Sequence, residues 1–182
     1  FTNAGLSADD ATKTYNDLYA VLGDTGKASE AASHLALLAN NSEDLAKWTD
    51  ICTGVYATFG DSLPIEGLTE AANETAKTGQ LTGVLADALN WAGVSEDDFQ
   101  KKLDACNSEQ ERQALITETL SGLYDDQADK YKEVNKEIIA ANEATNNLAQ
   151  AQAELGEAIE PLNTAITNLK TKLLTELTPA LK

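Results

Sequence analysis

Arginine occurs once in this 182-residue chain, at Arg112, histidine once, at His34, and methionine not at all. A single guanidinium offers little to a row of phosphates, and 30 acidic against 13 basic residues leave a net charge of −17, so direct nucleic-acid binding is not expected. The acidity reads first as a solvated surface that keeps the chain soluble, and second as a means of meeting basic partners. His34 falls among Leu35, Leu37 and Leu38, the setting of a partly buried structural imidazole rather than a general base. Two cysteines, Cys52 and Cys106, have no CxxC spacing; small buried thiols are the default reading, with a disulfide as the alternative. No apolar run approaches the roughly 18 residues of a membrane span, and no signal peptide is seen at Phe1. The absence of methionine, including at the start, leads us to expect an excised or processed piece of a longer protein.

Aromatics make up only 5% of the chain and alanine is abundant, a composition that favours helices over strands. Four stretches announce helix starts by a small polar residue followed by carboxylates: Ser7 to Asp10, Asn41 to Asp44, Ser95 to Asp98 and Ser108 to Glu111. The last has the spacing of a reciprocal capping box. From these starts the chain is expected to form helices over about 8–22, ended by Gly23, then 27–40, and then 43–58, ended by Gly60. The first presents Tyr15, Leu18, Tyr19 and Leu22 on one face, and the third carries Leu45, Trp48, Ile51, Cys52 and Val55. Residues 61–94 read as short helical pieces punctuated by Pro64, Gly67, Gly79, Gly83 and Gly93, with apolar surface from Leu81, Val84, Leu85, Leu89 and Trp91. Helices over 96–106 and 109–121 follow, and Ser121-Gly122 reads as a joint.

Beyond that joint lies the longest pattern in the chain. From Leu120 to Leu173 a seam recurs in alternating steps of four and three: Leu120, Tyr124, Gln127, Tyr131, Val134, Ile138, Ala141, Thr145, Leu148, Gln152, Leu155, Ile159, Leu162, Ile166, Leu169 and Leu173. A mean step of 3.5 residues is the heptad signature of helices that wrap a partner. With Leu120 at d, Ile138, Ile159 and Ile166 occupy a, while Val134, Leu148, Leu155, Leu162 and Leu169 occupy d, identities that favour two parallel strands. The e and g flanks are largely alanine, which widens the face and leaves the number of partners open. Gly156 and Pro161 interrupt the rod; because the seam keeps its phase across them, a kink is expected rather than a break. The fold expected is therefore all-α, with an N-terminal helical bundle over 1–60, a short-helix segment over 61–122 and a long heptad-patterned helix over 123–182, kinked near 156–161.

Motifs that carry chemistry are missing or incomplete. Gly23-Asp24-Thr25-Gly26-Lys27 has its glycines three apart where a phosphate loop needs five, and Ala28 replaces the hydroxyl. Asp125, Asp126 and Asp129 lack the glycine-bearing loop of a calcium site. A Cys52 and His34 pair has no orienting group or oxyanion site. Asn73-Glu74-Thr75 matches a glycosylation sequon. No catalytic, cofactor-binding or metal-binding residue is assigned, and the chain is not expected to be an enzyme or to need a cofactor.

Some of the text is more specific. The run ATFGDSLPIEGLTEAANETAKTGQLTGVLADALNWAGVSEDDFQ at 57–100, the run KKLDACNSEQERQALITETLSGLY at 101–124, and LYAVLGDTGKASEAASHLALLANN at 18–41 resemble the tail tape measure proteins of long-tailed phages and prophages of gut Gram-positive bacteria. The similarity covers most of the chain and is strongest from Phe59 to Tyr124. It implies a structural virion component, mostly helical, that lies in the tail lumen, sets tail length during assembly in the bacterial host cytoplasm and leaves ahead of the DNA. It also implies as partners further copies of itself and the tail tube, tail tip and tail assembly proteins. Such proteins commonly carry apolar membrane-inserting segments, and this fragment shows none. The alternative expectation is a helical interaction module of a bacterial surface or secreted protein, motivated by the acidity, the alanine-rich stripe and the sequon.

Overall fold

The computed structural model describes residues 6–177, except the side chains of 162 and 172–177. Eight α-helices and no strand occur among them: α1 (Ala8–Leu22), α2 (Thr25–Leu38), α3 (Ser42–Phe59), α4 (Ile65–Thr78), α5 (Gly83–Trp91), α6 (Glu96–Asp104), α7 (Glu109–Val134) and α8 (Lys136–Leu177), with a 3-10 turn at Gly60–Ser62. The chain divides into a compact unit that ends at Glu143 and a second unit that begins at Ala144.

Local chemistry sets the helix ends. Ser7 Oγ accepts the Asp10 amide and Asp10 Oδ2 accepts the Ser7 amide, 3.0 and 2.8 Å, so the reciprocal capping box sits at α1. At α7, where the box was expected, Ser108 Oγ accepts the Glu111 amide, but Glu111 Oε2 accepts the amide of Asn107 at 2.7 Å. Ser42 Oγ also donates to Asp10 Oδ1, tying two helix starts together; the Ser7 hydroxyl, which donates to Asp10 Oδ2 at 2.7 Å, then the Ser7 amide and the Ser42 hydroxyl hold the Asp10 carboxyl below its usual range. Gly23 ends α1 in the left-handed region at φ 64°, as its position in the sequence implied.

In the compact unit α3 is the axis. Residues Ile51 to Val55 are all buried, so this helix has no solvent face along that turn, and α1, α2, α4 and α7 pack around it. Its threonines are satisfied internally: Thr49 and Thr53 donate to the carbonyls of Leu45 and Thr49, 3.0 and 2.8 Å. Trp48, wholly buried, donates from Nε1 to Thr117 Oγ1 on α7 at 3.0 Å. The closest approach is at Gly54, where an added Cβ would lie 2.1 Å from the Tyr124 carbonyl oxygen, so α3 and α7 touch backbone to backbone. Tyr124 then passes its hydroxyl to the Ala88 carbonyl at 2.6 Å, which fixes α5 to the same seam. One core of buried side chains runs from Leu6 to Tyr124. The stretches 1–60 and 61–122 contribute to that single core, and the segment boundary drawn after 122 falls inside α7.

Three local expectations change. Ser121-Gly122 is not a joint: α7 runs through it to Val134, and the break comes at Asn135. An interior glycine costs a helix only about 1 kcal/mol, less than the burial of Leu120 and Tyr124 on either side recovers. Gly67 does not punctuate either; it lies inside α4, where its missing side chain admits Val84 Cγ2. Leu37 and Trp91, expected on apolar faces, are about half exposed. The kink expectation holds, since α8 continues through Gly156 and Pro161 as one bent helix.

Candidate functional site: the uncovered apolar face of the C-terminal helix

The heptad seam behaves differently in its two halves. On α7 the buried positions are Gln113, Ile116, Thr117, Leu120, Tyr124 and Ala128. After Tyr124 this line steps to Ala128, whereas the seam steps to Gln127, which is exposed. A straight helix turns 3.6 residues per revolution, so a 3.5-residue pattern drifts about 20° per heptad away from a fixed neighbour. By Val134 the seam has turned away from α3. Val134, Ile138, Leu148, Leu155, Ile159, Ile166 and Leu169 are between 41% and 81% exposed. Apart from the two positions whose side chains lie outside the description, Leu162 and Leu173, no seam residue from Val134 onward is buried. Val134 ends α7 and Ile138 follows the break at Asn135; in the unit that begins at Ala144, five large aliphatic side chains of α8 at heptad spacing, Leu148, Leu155, Ile159, Ile166 and Leu169, meet solvent, the arrangement that marks an interaction surface.

The face is flanked by little charge. Between 144 and 169 the only ionisable residues are Glu154, Glu157 and Glu160, at the c, f and b positions that point away from a seam on a and d. Residues 144–182 carry four carboxylates and three lysines, so nearly all of the −17 belongs to residues 1–143.

The first eight residues of α8 lie in the compact unit and are anchored there. Asn142 Nδ2 donates to the Ala20 carbonyl at 2.9 Å, satisfying a carbonyl in the last turn of α1. Lys132 of α7 pairs with Asp50 of α3. Between α1, α3, α7 and this start of α8 opens a cleft of about 530 Å³, with Ala20, Ala46, Ile139 and Ala140 in its walls and lysines and carboxylates in equal number at its rim. Two of the rim pairs, Lys13 with Asp17 and Lys132 with Asp50, neutralise each other.

Residues weighed for chemistry are used structurally. Asp24 caps α2, its Oδ1 accepting the Lys27 amide at 2.9 Å, and Lys27 pairs with Asp61 at 2.6 Å. The phosphate-loop-like text is thus an interhelical turn. Arg112 donates to the carbonyls of Ala76 and Lys77 at 2.5 and 3.2 Å, capping the C-terminus of α4. Gln100 clamps the next turn, donating to the Gly79 carbonyl and accepting the Leu81 amide, both at 2.8 Å. Cys52 is free and fully enclosed, and burial pushes its thiol up, the reverse of an activated nucleophile. Cys106 is free and partly exposed. His34 is half-buried on α2. Asp125 accepts from Ser121, while Asp126 and Asp129 are exposed; no group of three potential ligands able to hold a metal occurs among the described residues. Asn73 and Thr75 of the sequon are both buried in α4, closed to a glycosylating enzyme in the folded chain. No helix among the described residues is long and apolar enough to cross a membrane. No family model, curated protein or solved structure matches the chain.

Proposed function

We propose that this chain is a structural component of a long-tailed phage tail, a fragment of a tape measure protein that helps to set tail length during assembly and occupies the tail tube before DNA ejection. The observation that carries the reading is the 42-residue helix α8, whose heptad face is left without a cover over most of its length. At 1.5 Å per residue a helix converts residue count directly into distance, which is what a ruler requires. The charge supports the same reading: a chain at −17 does not adhere to the DNA that shares its compartment. The resemblance of 18–41 and 57–124 to tape measure proteins supplies the biological setting, with further copies of the chain and the tail tube, tip and assembly proteins as partners, and the virion tail lumen as location.

Removing residues 144–171 in frame from the intact phage gene and measuring tails by electron microscopy tests the proposal. Shortening by about 40 Å is expected from the helical rise; tails of unchanged length would sink the ruler role of this segment. The alternative, an interaction module of a bacterial surface or secreted protein, relied partly on the sequon, whose burial withdraws that support.

A further inference from the structure

The fold treats its two tryptophans oppositely. Trp48 is wholly buried on α3, whereas Trp91, the last residue of α5, keeps 52% of its surface in solvent. An indole left half in water forgoes much of the stabilisation that its burial would give. It is nevertheless held in place. Its ring meets Phe59 of α3 edge to face, with centroids 5.2 Å apart and planes at 64°, and Phe59 in turn meets Tyr124 of α7 at 6.0 Å and 75°. Because the Tyr124 hydroxyl donates to the Ala88 carbonyl, three residues before Trp91, the line of contacts closes on the helix where it began. A Cβ added at Gly60, beside Phe59, or at Gly93, beyond Trp91, would meet no atom within 4 Å, so the adjoining turns leave room beside the pair.

A single exposed apolar side chain is ordinary; the charge around this one is not. From Thr78 to Gln100 the chain carries four carboxylates, Asp87, Glu96, Asp97 and Asp98, and no lysine or arginine. From Trp48 to Ala76 it carries five more carboxylates and again no basic residue. Asp87 stands four residues before Trp91, on the same face of α5. It is exposed and enters no ion pair among the described residues. Glu96 accepts from Asn90 Nδ2 at 3.2 Å, which sets a second carboxylate beside the residue preceding Trp91. The nearest lysine after Trp91 in the sequence, Lys101, is paired with Asp98 at 2.9 Å, and Arg112 caps α4. A fixed, half-exposed indole among unpaired carboxylates has the chemistry that recognises a cation, since the ring face attracts it and the carboxylates neutralise it. Arginine suits this better than lysine. Its guanidinium is planar, is more weakly hydrated, and can stack on the ring while donating in its own plane to a carboxylate.

We propose that Trp91, braced by Phe59 and assisted by Asp87, is the docking point for an arginine side chain of a basic partner protein. The inference concerns the compact unit alone and does not depend on the phage reading; tails of unchanged length leave it standing.

The test titrates the whole 182-residue chain with a hexapeptide alternating arginine and glycine. Salt at about 0.15 M screens the attraction of the −17 charge as a whole beyond about 8 Å. Calorimetry gives the affinity, and tryptophan fluorescence reports contact with Trp91, because Trp48 is enclosed. Binding should change the fluorescence and should be lost when citrulline, neutral and of nearly the same shape, replaces arginine. Trp91→Leu, which keeps the charge but removes the ring face, should weaken binding about fivefold or more, and Trp91→Phe by less. Asp87→Lys leaves the ring intact and should weaken binding at least as much, so the proposal is decided even where Trp91→Leu fails to fold. Unchanged affinity in either variant would show that acidity spread over the surface holds the peptide, and would overturn the proposal. Binding without a fluorescence change, or no binding by the unaltered chain, would overturn it as well. A response to maltohexaose and none to the arginine peptide would make the ring a sugar-binding face instead.

Discussion

Residues up to Glu143 and residues from Ala144 onward solve opposite problems with the same secondary structure. The first region is acidic, carries most of its leucines inward and brings helices so close that Gly54 touches the Tyr124 backbone. The second is nearly neutral, carries Leu148, Leu155 and Leu169 exposed, and has a seam at least as regular as that of any helix in the core. Regular hydrophobic spacing therefore does not identify what is buried within a chain. The buried line on α7 follows the 3.6-residue turn of a straight helix against a fixed neighbour, whereas the α8 seam holds to 3.5, the period of helices that coil around a partner.

The contrast can be broken most severely at the α3 and α7 crossing. Gly54→Ala places a methyl 2.1 Å from a carbonyl oxygen that is itself backbone, so the helices must separate. A loss of about 3 kcal/mol or more is expected in urea denaturation, at the upper end of overpacking effects; a loss below about 1 kcal/mol would show that the crossing yields easily. A smaller effect is expected from Tyr124→Phe, which removes the bond to the Ala88 carbonyl and costs about 1–2 kcal/mol. Burial also pushes the Tyr124 phenol up to about 12. The unfolded chain releases that proton near the ordinary phenol value of about 10. The Tyr124 contribution is thus complete below pH 10 and lost as pH rises from there through the folded value, and Tyr124→Phe should flatten that part of an alkaline stability profile. The smallest change is expected at the other region. Leu155 and Ile159 are exposed, so with Leu155→Glu and Ile159→Glu the unfolding free energy of the compact unit should shift by less than about 0.5 kcal/mol. A large loss of compact-unit stability would mean that this face supports the core after all.

Much of the compact unit was legible because its signals are local. Ser7, Asn41, Ser95 and Ser108 each accept an amide three residues on, a contact settled within one turn, and the helix starts fall where those residues stand. Gly23 and Gly79 end helices for the equally local reason of a left-handed φ. Gly122 looked like the same punctuation and was not, since its neighbours Leu120 and Tyr124 are held by α3 and α5 from far along the chain. Glu111 shows the limit of local reading at finer scale: the spacing of a capping box was present, but the carboxylate accepts the amide of Asn107, one residue before the cap. The candidate face was visible as a seam, and its uncovered state was not. Exposure depends on whether another element lies opposite, which periodicity does not encode.

What the amino-acid sequence determined by itself is the helical class, the positions of most helix ends, and the absence of charge at the e and g positions of α8 between 144 and 169, because each rests on composition or on contacts within a turn or two. Only the tertiary structure decided that α3 is the axis, that Gly54 is a contact point and not a flexible one, that the sequon is sealed, and that the heptad seam leaves the core after Tyr124. Each of these turns on which residues distant in the chain come to lie opposite one another, and a pattern read along one strand of text holds no record of its neighbours.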